Sequence, residues 1–481
     1  MTFQSYGFLF LFLPLTVLLW WQLNRRGWGK AAQILLLCAS LFFYGWHRLA
    51  CLVVLVGSIL FNFLVGRGLA RTGKKGLLLL GLVGNLGVLG YFKYANFFLD
   101  NINLLFSTSF GTLQLLLPLG LSFFTFQQIA FLLDLAHGEK NDYTLLEYAC
   151  YVSFFPCVAS GPMAFHHEVI PQLRQAVGRC LTSRELAQGL WLFSLGLWKK
   201  VIVAEAFGAG ADWGFASIGQ LNSTTALLVA LSYTFQLYFD FSGYTDMARG
   251  IGRMLGLRLP DNFDVPYQAL TIGKFWKGWH MTMTRFFTRY VYIPLGGSRR
   301  GTVVTCRNIM IIFLLSGLWH GADWSFVLWG GLHGAAMVVD RLLGKRVEGL
   351  HPVLSWALTF AFVTFCWVFF RAENISQGLA LCKAIGVCSF GEIAPGFTAC
   401  FQLPLTSWLS RFLVLEPQRV ALGMTLLFLL FAFLFCLQER GGAKKEERVA
   451  LQGRTGVLCG LLLFWSVISL TGVTQFLYSE F

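Results

Sequence analysis

The sequence predicts an all-α polytopic membrane protein, and three observations carry that prediction. Of its 481 residues 56% are hydrophobic and only 12% charged, whereas about a quarter of a soluble domain is charged. Mean hydropathy is +0.64. The apolar residues fall into recurrent runs of a length suited to a hydrocarbon core of about 30 Å, and no polar stretch between them is long enough for a soluble domain. Residues 1–481 are therefore read as one integral-membrane domain. The net charge of +14 fits cytoplasmic loops under the positive-inside rule. No nucleic-acid partner is expected, because no soluble module carries a basic patch interleaved with aromatics. The 12 cysteines show no C-x-x-C pair and no zinc spacing, so no metal site is expected and they read as small apolar helix residues.

The elements follow in order. Residues 8–21 form a first span. No basic stretch precedes it and Arg25-Arg26 follow it, so it is not a cleavable leader, and the N-terminus is expected outside the cytoplasm. Residues 31–44 and 51–65 form a hairpin turning at His47-Arg48, and Arg71, Lys74 and Lys75 mark a cytoplasmic loop before a span at 77–92. Residues 113–135 contain Pro118, Gly120, Gln127 and Gln128, which a membrane segment tolerates where it faces protein. Residues 151–163 are short and broken by Pro156, Gly161 and Pro162, as in a re-entrant piece. Spans at 190–207 and 225–241 precede a polar, amphipathic stretch at 271–292. Spans at 309–319, 326–339, 354–370, 421–436 and 457–470 complete about eleven crossings. Lys444, Lys445, Arg448 and Arg454 make the last loop cytoplasmic and put the C-terminus on the opposite side.

His320 stands out in Ile309–Gly334, a nearly uncharged run. It lies 13 residues after Arg307, about 20 Å along a helix. An imidazole at that depth is costly unless it faces protein or water, which makes it a functional candidate; a histidine that merely fixes packing fits the depth equally well. His333 lies 13 residues further on, about 220° around an unbroken helix, so the two would not share a face, although Gly321 is placed to break the helix. Asp240 and Asp246 end an apolar run six residues apart. They are expected to orient neighbours or to pair with Arg249 and Arg253 rather than to act as catalytic carboxylates. His280 lies in a segment with Lys274, Lys277, Arg285 and Arg289. That segment reads either as a helix on the cytoplasmic surface or as the lining of a funnel whose cations attract an anionic donor. His166-His167-Glu168 lacks the metalloprotease spacing. The final residues Phe476, Tyr478 and Phe481 read as an interfacial belt or as a tail that presents the Tyr478 hydroxyl.

Three stretches taken together resemble one family. They are YFDFSGYTDMARGIGRMLGLRLPDNFDVPYQA from Tyr238, FWKGWHMTMTRFFTRYVYIPLGG from Phe275 and SGLWHGADWSFVLWGGLHG from Ser316. In this order they resemble the membrane-bound O-acyltransferases, most closely the bacterial branch that acetylates alginate, cellulose and peptidoglycan and includes the D-alanyl exporter of teichoic acids. The resemblance implies a ring of about 11 transmembrane helices, with re-entrant pieces, around a central tunnel. It implies that His320 is the catalytic histidine and His280 the second functional one. Trp319, Gly321 and Trp279 flank them, and Asp240, Tyr244, Asp246, Asn262 and Lys277 are expected along the tunnel or substrate path. The ending also resembles an acyl-accepting tail, with Tyr478 as transient carrier. One departure stands out: the family's usual R-D-Y is here Thr288-Arg289-Tyr290, so any role of that carboxylate does not transfer. The implied reaction takes acetyl from cytoplasmic acetyl-CoA, a substrate rather than a bound cofactor. The acetyl passes across the bacterial inner membrane to an extracytoplasmic serine acyltransferase of SGNH type, for exopolysaccharide O-acetylation, alginate being one such polymer. Peptidoglycan and cellulose are alternatives. A polysaccharide-precursor transporter or flippase, the alternative of another class, would suit the buried polar groups, but no inverted repeat is visible.

Overall fold

The computed structural model describes residues 1–46, 48–139, 142–347, 349–402, 416–438 and 453–470. The turn residue His47, the loop cations Lys444, Lys445 and Arg448, and the 476–481 tail with Tyr478 lie outside the described residues. The described chain is helical, with one isolated β-bridge between Phe263 and Trp279. Seven described helices are long and apolar enough to cross a membrane: Phe8–Arg25, Leu49–Thr72, Lys75–Phe106, Thr302–His320, Trp324–Gly344, Pro352–Arg371 and Pro417–Gln438. Gly29–Gly45, Leu121–Ala136 and Gly453–Ile468 are shorter apolar helices. The expected number of about eleven is thus not reached by length and apolarity alone.

Part of the shortfall has a physical cause. The 32-residue helix Ser223–Met254 is the longest regular helix described. Every residue from Ser232 to Gly252 in it is buried, so its side chains meet protein on all sides and need not be apolar. It packs along Ser183–Trp198 through facing glycines: a Cβ on Gly189 would press on the Gly250 carbonyl, and one on Gly196 on the Gly243 carbonyl. Small residues let helix backbones approach in this way. The N-terminal helix closes the far end, where Trp20 Nε1 donates to the Leu255 carbonyl (3.0 Å) and Trp21 Nε1 to that of Met254 (2.7 Å).

Two expectations change in detail, and the broken piece at 151–163 is found as expected. The segment read at 113–135 becomes helical only from Leu121, because Pro118 and the left-handed Gly120 (φ 67°) precede it and a Cβ on Gly120 would strike the Val158 carbonyl. Residues 151–163 are a broken, non-spanning piece, with helix Leu145–Ser153, a single turn Phe155–Val158 and then irregular chain. Every residue from 147 to 166 is buried, which is where irregular backbone is tolerated in a membrane protein. The stretch 271–292 is not one surface helix. It forms two short α-helices, Ile272–Gly278 and Met281–Phe287, and a π-helical stretch, Thr288–Tyr292, with Phe275, Trp276, Met283, Phe286 and Phe287 buried and Lys274 and Lys277 exposed.

Asp240 and Asp246 also find partners other than those expected. Lys200 Nζ lies 2.6 Å from Asp240 and Lys199 Nζ 2.8 Å from Asp246, while Arg249 pairs with Asp261 at 2.6 Å. Lys199 opens a π-helical stretch, Lys199–Ala204, that continues Ser183–Trp198. Removing one partner of a buried pair strands the other charge, at about 3–5 kcal/mol. Lys199→Met should therefore lose about that much stability, read as thermal unfolding in detergent, and adding Asp246→Leu should restore most of it. A single variant as stable as the double one would contradict the pairing.

Candidate active site

The site is built on a helical hairpin. Thr302–His320 ends at Gly321, whose backbone is extended (φ −156°, ψ 150°). Any residue adopts that conformation; glycine is required by space, because a Cβ there would run into the Phe326 ring. The chain then reverses into Trp324–Val347. A Cβ on Gly317 would strike the Phe326 carbonyl, and one on Gly330 the Phe313 carbonyl. The two helices touch backbone to backbone, and this brings the sequence-distant rings together.

His320 is 3% exposed. Its ring centroid lies 4.8 Å from that of Trp319 and 5.1 Å from those of Trp329 and Phe370. The His333 ring centroid lies 5.0 Å from that of Trp329, and His333 Nδ1 accepts from Trp276 Nε1 at 3.2 Å. The two histidines, which an unbroken helix would hold apart, thus border one indole. The Nδ1 of His333 is taken by Trp276, while its Nε2 is buried without a protein hydrogen-bond partner among the described residues.

His280 also borders the Trp319 ring, with ring centroids 6.0 Å apart. It is fully buried and occupies the corner between the two short helices with φ 44°. A non-glycine residue held in the left-handed region costs about 1–3 kcal/mol and is typical of functional positions. The corner is over-determined. Asn262 Oδ1 pairs with His280 Nδ1 (3.1 Å) and accepts from Thr282 Oγ1 (2.8 Å). The Asn262 carbonyl accepts from Met281 N (3.0 Å), and Asp264 N donates to the Gly278 carbonyl (2.9 Å). Trp279 packs against Phe263 and Trp367, at 5.1 and 5.0 Å, and Phe241 against His280 at 4.7 Å. Tyr244 instead stacks on Phe3 at 4.9 Å.

A cavity of about 700 Å³ borders Met281 and Thr282, the residues that follow His280 in the chain, and is lined by Lys277, Arg285 and Arg289. Its basic lining is partly neutralised. Arg285 grips Glu168 (2.5 and 2.8 Å), and Arg289 bonds Asp134 (2.8 Å) and Glu139 (2.7 Å). Of the four cations expected to attract an anion, two are therefore committed to carboxylates; Lys274 and Lys277 remain exposed. Asp134, Glu139, His166 and His167 bring four ligand atoms within 4.8 Å of one another. The cation among them is the Arg289 guanidinium, and Asp134 Oδ2 is already shared by His166 (3.1 Å) and Tyr290 (2.8 Å). The departure from R-D-Y at Arg289 is thereby explained locally: the base serves two nearby acids.

The sequence reading passed over Lys93 and Tyr94. Lys93 Nζ donates to the carbonyls of Trp319 (2.5 Å) and His320 (3.0 Å), and Tyr94 Oη to that of Leu318 (2.6 Å). A lysine inside an apolar run was the available signal. Around His320, Trp319 Nε1, Trp329 Nε1, Trp367 Nε1 and Ser316 Oγ are buried without a protein hydrogen-bond partner among the described residues. Such groups cost about 1–3 kcal/mol each when left unmet, and their gathering here suits a site that receives polar groups. A neutral imidazole walled by aromatics, with a second oriented imidazole bordering the same indole, is suited to general-base chemistry.

Comparison with known proteins agrees with this geometry. Residues 76–376 match the family model of the membrane-bound O-acyltransferases. The chain is 41% identical over 412 residues to the peptidoglycan O-acetyltransferase of Helicobacter pylori, covering 79% of this chain and 78% of that protein. It is 40% identical over 406 residues to the probable alginate O-acetylase of Pseudomonas aeruginosa, covering 81% and 75%. It is 29% identical over 248 residues to the teichoic acid D-alanyltransferase of Streptococcus thermophilus, covering 49% and 60%.

Proposed function

This multi-pass membrane chain belongs to the membrane-bound O-acyltransferase family and is an acyltransferase, and on that premise we propose that it carries an acetyl group from a cytoplasmic thioester across the bacterial inner membrane for O-acetylation of a polysaccharide. The observation that carries this reading is the buried imidazole of His320, walled by Trp319, Trp329 and Phe370, with His280 bordering the same Trp319 ring. The donor, acetyl-CoA, approaches through the cavity beside Met281 and Thr282, where Lys277 offers a cation to its phosphates. His320 takes the proton of the accepting hydroxyl, and that oxygen attacks the thioester carbonyl. The C–S bond breaks, and the proton passes from the imidazolium to the leaving thiolate. Trp319 and Gly321 shape the pocket wall and the turn, while Asn262 fixes the His280 ring. Asp240 and Asp246, held by Lys200 and Lys199, support the scaffold.

The accepting hydroxyl is that of Tyr478 in the C-terminal tail. A phenol, with pKa about 10, leaves far more readily than an alkanol, so its acetyl ester stays activated. The ester then passes the group to the serine of an SGNH-type partner outside the membrane, with both termini of this chain on that side. Alginate and peptidoglycan, the polymers named for the two relatives above, are the candidate polymers, and the partner selects between them. Purified protein given acetyl-CoA should release free thiol, and Tyr478→Phe should bind the donor yet stop transfer. Transport of a polysaccharide precursor without thioester cleavage would overturn the reading; unchanged acetylation by Tyr478→Phe would remove the tail from it.

A further inference from the structure

The last four carbonyls of a helix have no partner within it and must be met elsewhere. For the helix that ends in His320 the accounting closes. The Gly317 carbonyl accepts from Gly321 N at 3.3 Å. The Leu318 carbonyl accepts from Tyr94 Oη at 2.6 Å, and those of Trp319 and His320 accept from Lys93 Nζ at 2.5 and 3.0 Å. Three of the four are thus held by two consecutive residues of one other helix. That helix, Lys75–Phe106, has only 17% of its most apolar window buried, and its regular course is interrupted by a π turn at Gly90–Tyr94. Such turns concentrate at functional places. Lys93 Nζ also stands 6.0 Å from the Trp319 ring centroid, within cation–π reach.

A neutral donor would satisfy these carbonyls. A lysine inside a membrane span is costly, so a capping role alone does not explain the choice. What a cation adds is attraction to the negative end of the helix dipole, applied here to the peptide that carries the histidine. We infer that Lys93, with Tyr94, is a positioning pair: its hydrogen bonds and charge lock the last turn of the helix so that the His320 imidazole is held where the thioester and the accepting hydroxyl meet. This rests on the acyl-transfer reading above. The π turn turns consecutive side chains toward one helix end, and so ties the geometry of the reaction centre to a helix at the edge of the described bundle.

The test uses the purified full chain with acetyl-CoA, and activity is expressed per folded molecule. Lys93→Met should lower kcat about a hundredfold, the scale of an ångström-level misplacement, with the donor KM within about twofold. Lys93→Gln, which keeps a neutral donor and guards against misfolding, should fall between that variant and the native chain. Lys93→Arg should recover most of the rate, and Tyr94→Phe should lose several-fold. Full activity of Lys93→Gln and Lys93→Met beside an inactive His320→Ala would overturn the inference and leave the acyl-transfer reading standing. Loss of folded protein with unchanged kcat per folded molecule would overturn it too, reducing Lys93 to a structural cap. An active His320→Ala would overturn the reading on which it rests.

Discussion

Replacing His320 by Ala should abolish polymer acetylation while the protein continues to accumulate in the membrane. Loss of a general base costs about 10²–10⁴-fold in rate, and no second imidazole substitutes for it. His333 is engaged by Trp276 at 3.2 Å, and His280 is fixed by Asn262. The fold survives because the hairpin is held by Gly317 and Gly330 and the helix end by carbonyl bonds, none of which involves the imidazole. His320→Gln, closer in volume, should be equally inactive. Acetylation above about a tenth of the native level in either variant would contradict the assignment, because it would leave less than the smallest general-base contribution.

Gly330→Val should destabilise the hairpin that carries the site. Its Cβ would occupy the place of the Phe313 carbonyl, and a backbone atom cannot step aside as a side-chain end can. Overpacking typically costs about 1–3 kcal/mol, and a branched side chain against backbone belongs at or above the top of that range. The hairpin must open, and with it the contact of His320 with Trp329. Gly330→Ala should show a smaller loss of the same kind. Gly344→Ala, with nothing near its Cβ, should show none. The measurement is the fraction of monodisperse protein after heating in detergent; native behaviour of Gly330→Val would mean the two helices do not pack this closely.

How far the sequence reached depends on the range of the interaction. Hydropathy located the apolar helices, and Gly321 was already placed to end one of them at His320. The stretch 151–163 was legible as broken from Pro156 and Pro162. Partners across the fold were not legible. Sequence alone offers Asp240 and Asp246 either neighbouring polar groups to orient or the near cations Arg249 and Arg253 to pair with, but Lys200 and Lys199 hold them from another helix. Two adjacent lysines in an apolar run were the signal that two acids must lie opposite, since a buried charge needs a partner. The 271–292 stretch was read for its cations. Its aromatic face decided its burial, and Glu168, Asp134 and Glu139 neutralise two of those cations from segments more than a hundred residues away. Lys93 was missed for the same reason: the predicted span ended at residue 92, one short of the π turn's lysine.

The most direct test of the account is the mass of the C-terminal peptide carrying Tyr478, measured after purified protein has been incubated with acetyl-CoA without an acceptor partner. The account predicts one added acetyl group on Tyr478 in the native chain and none in His320→Ala. An unmodified Tyr478 in the native chain while thiol is released, or an acetylated Tyr478 in His320→Ala, would contradict it.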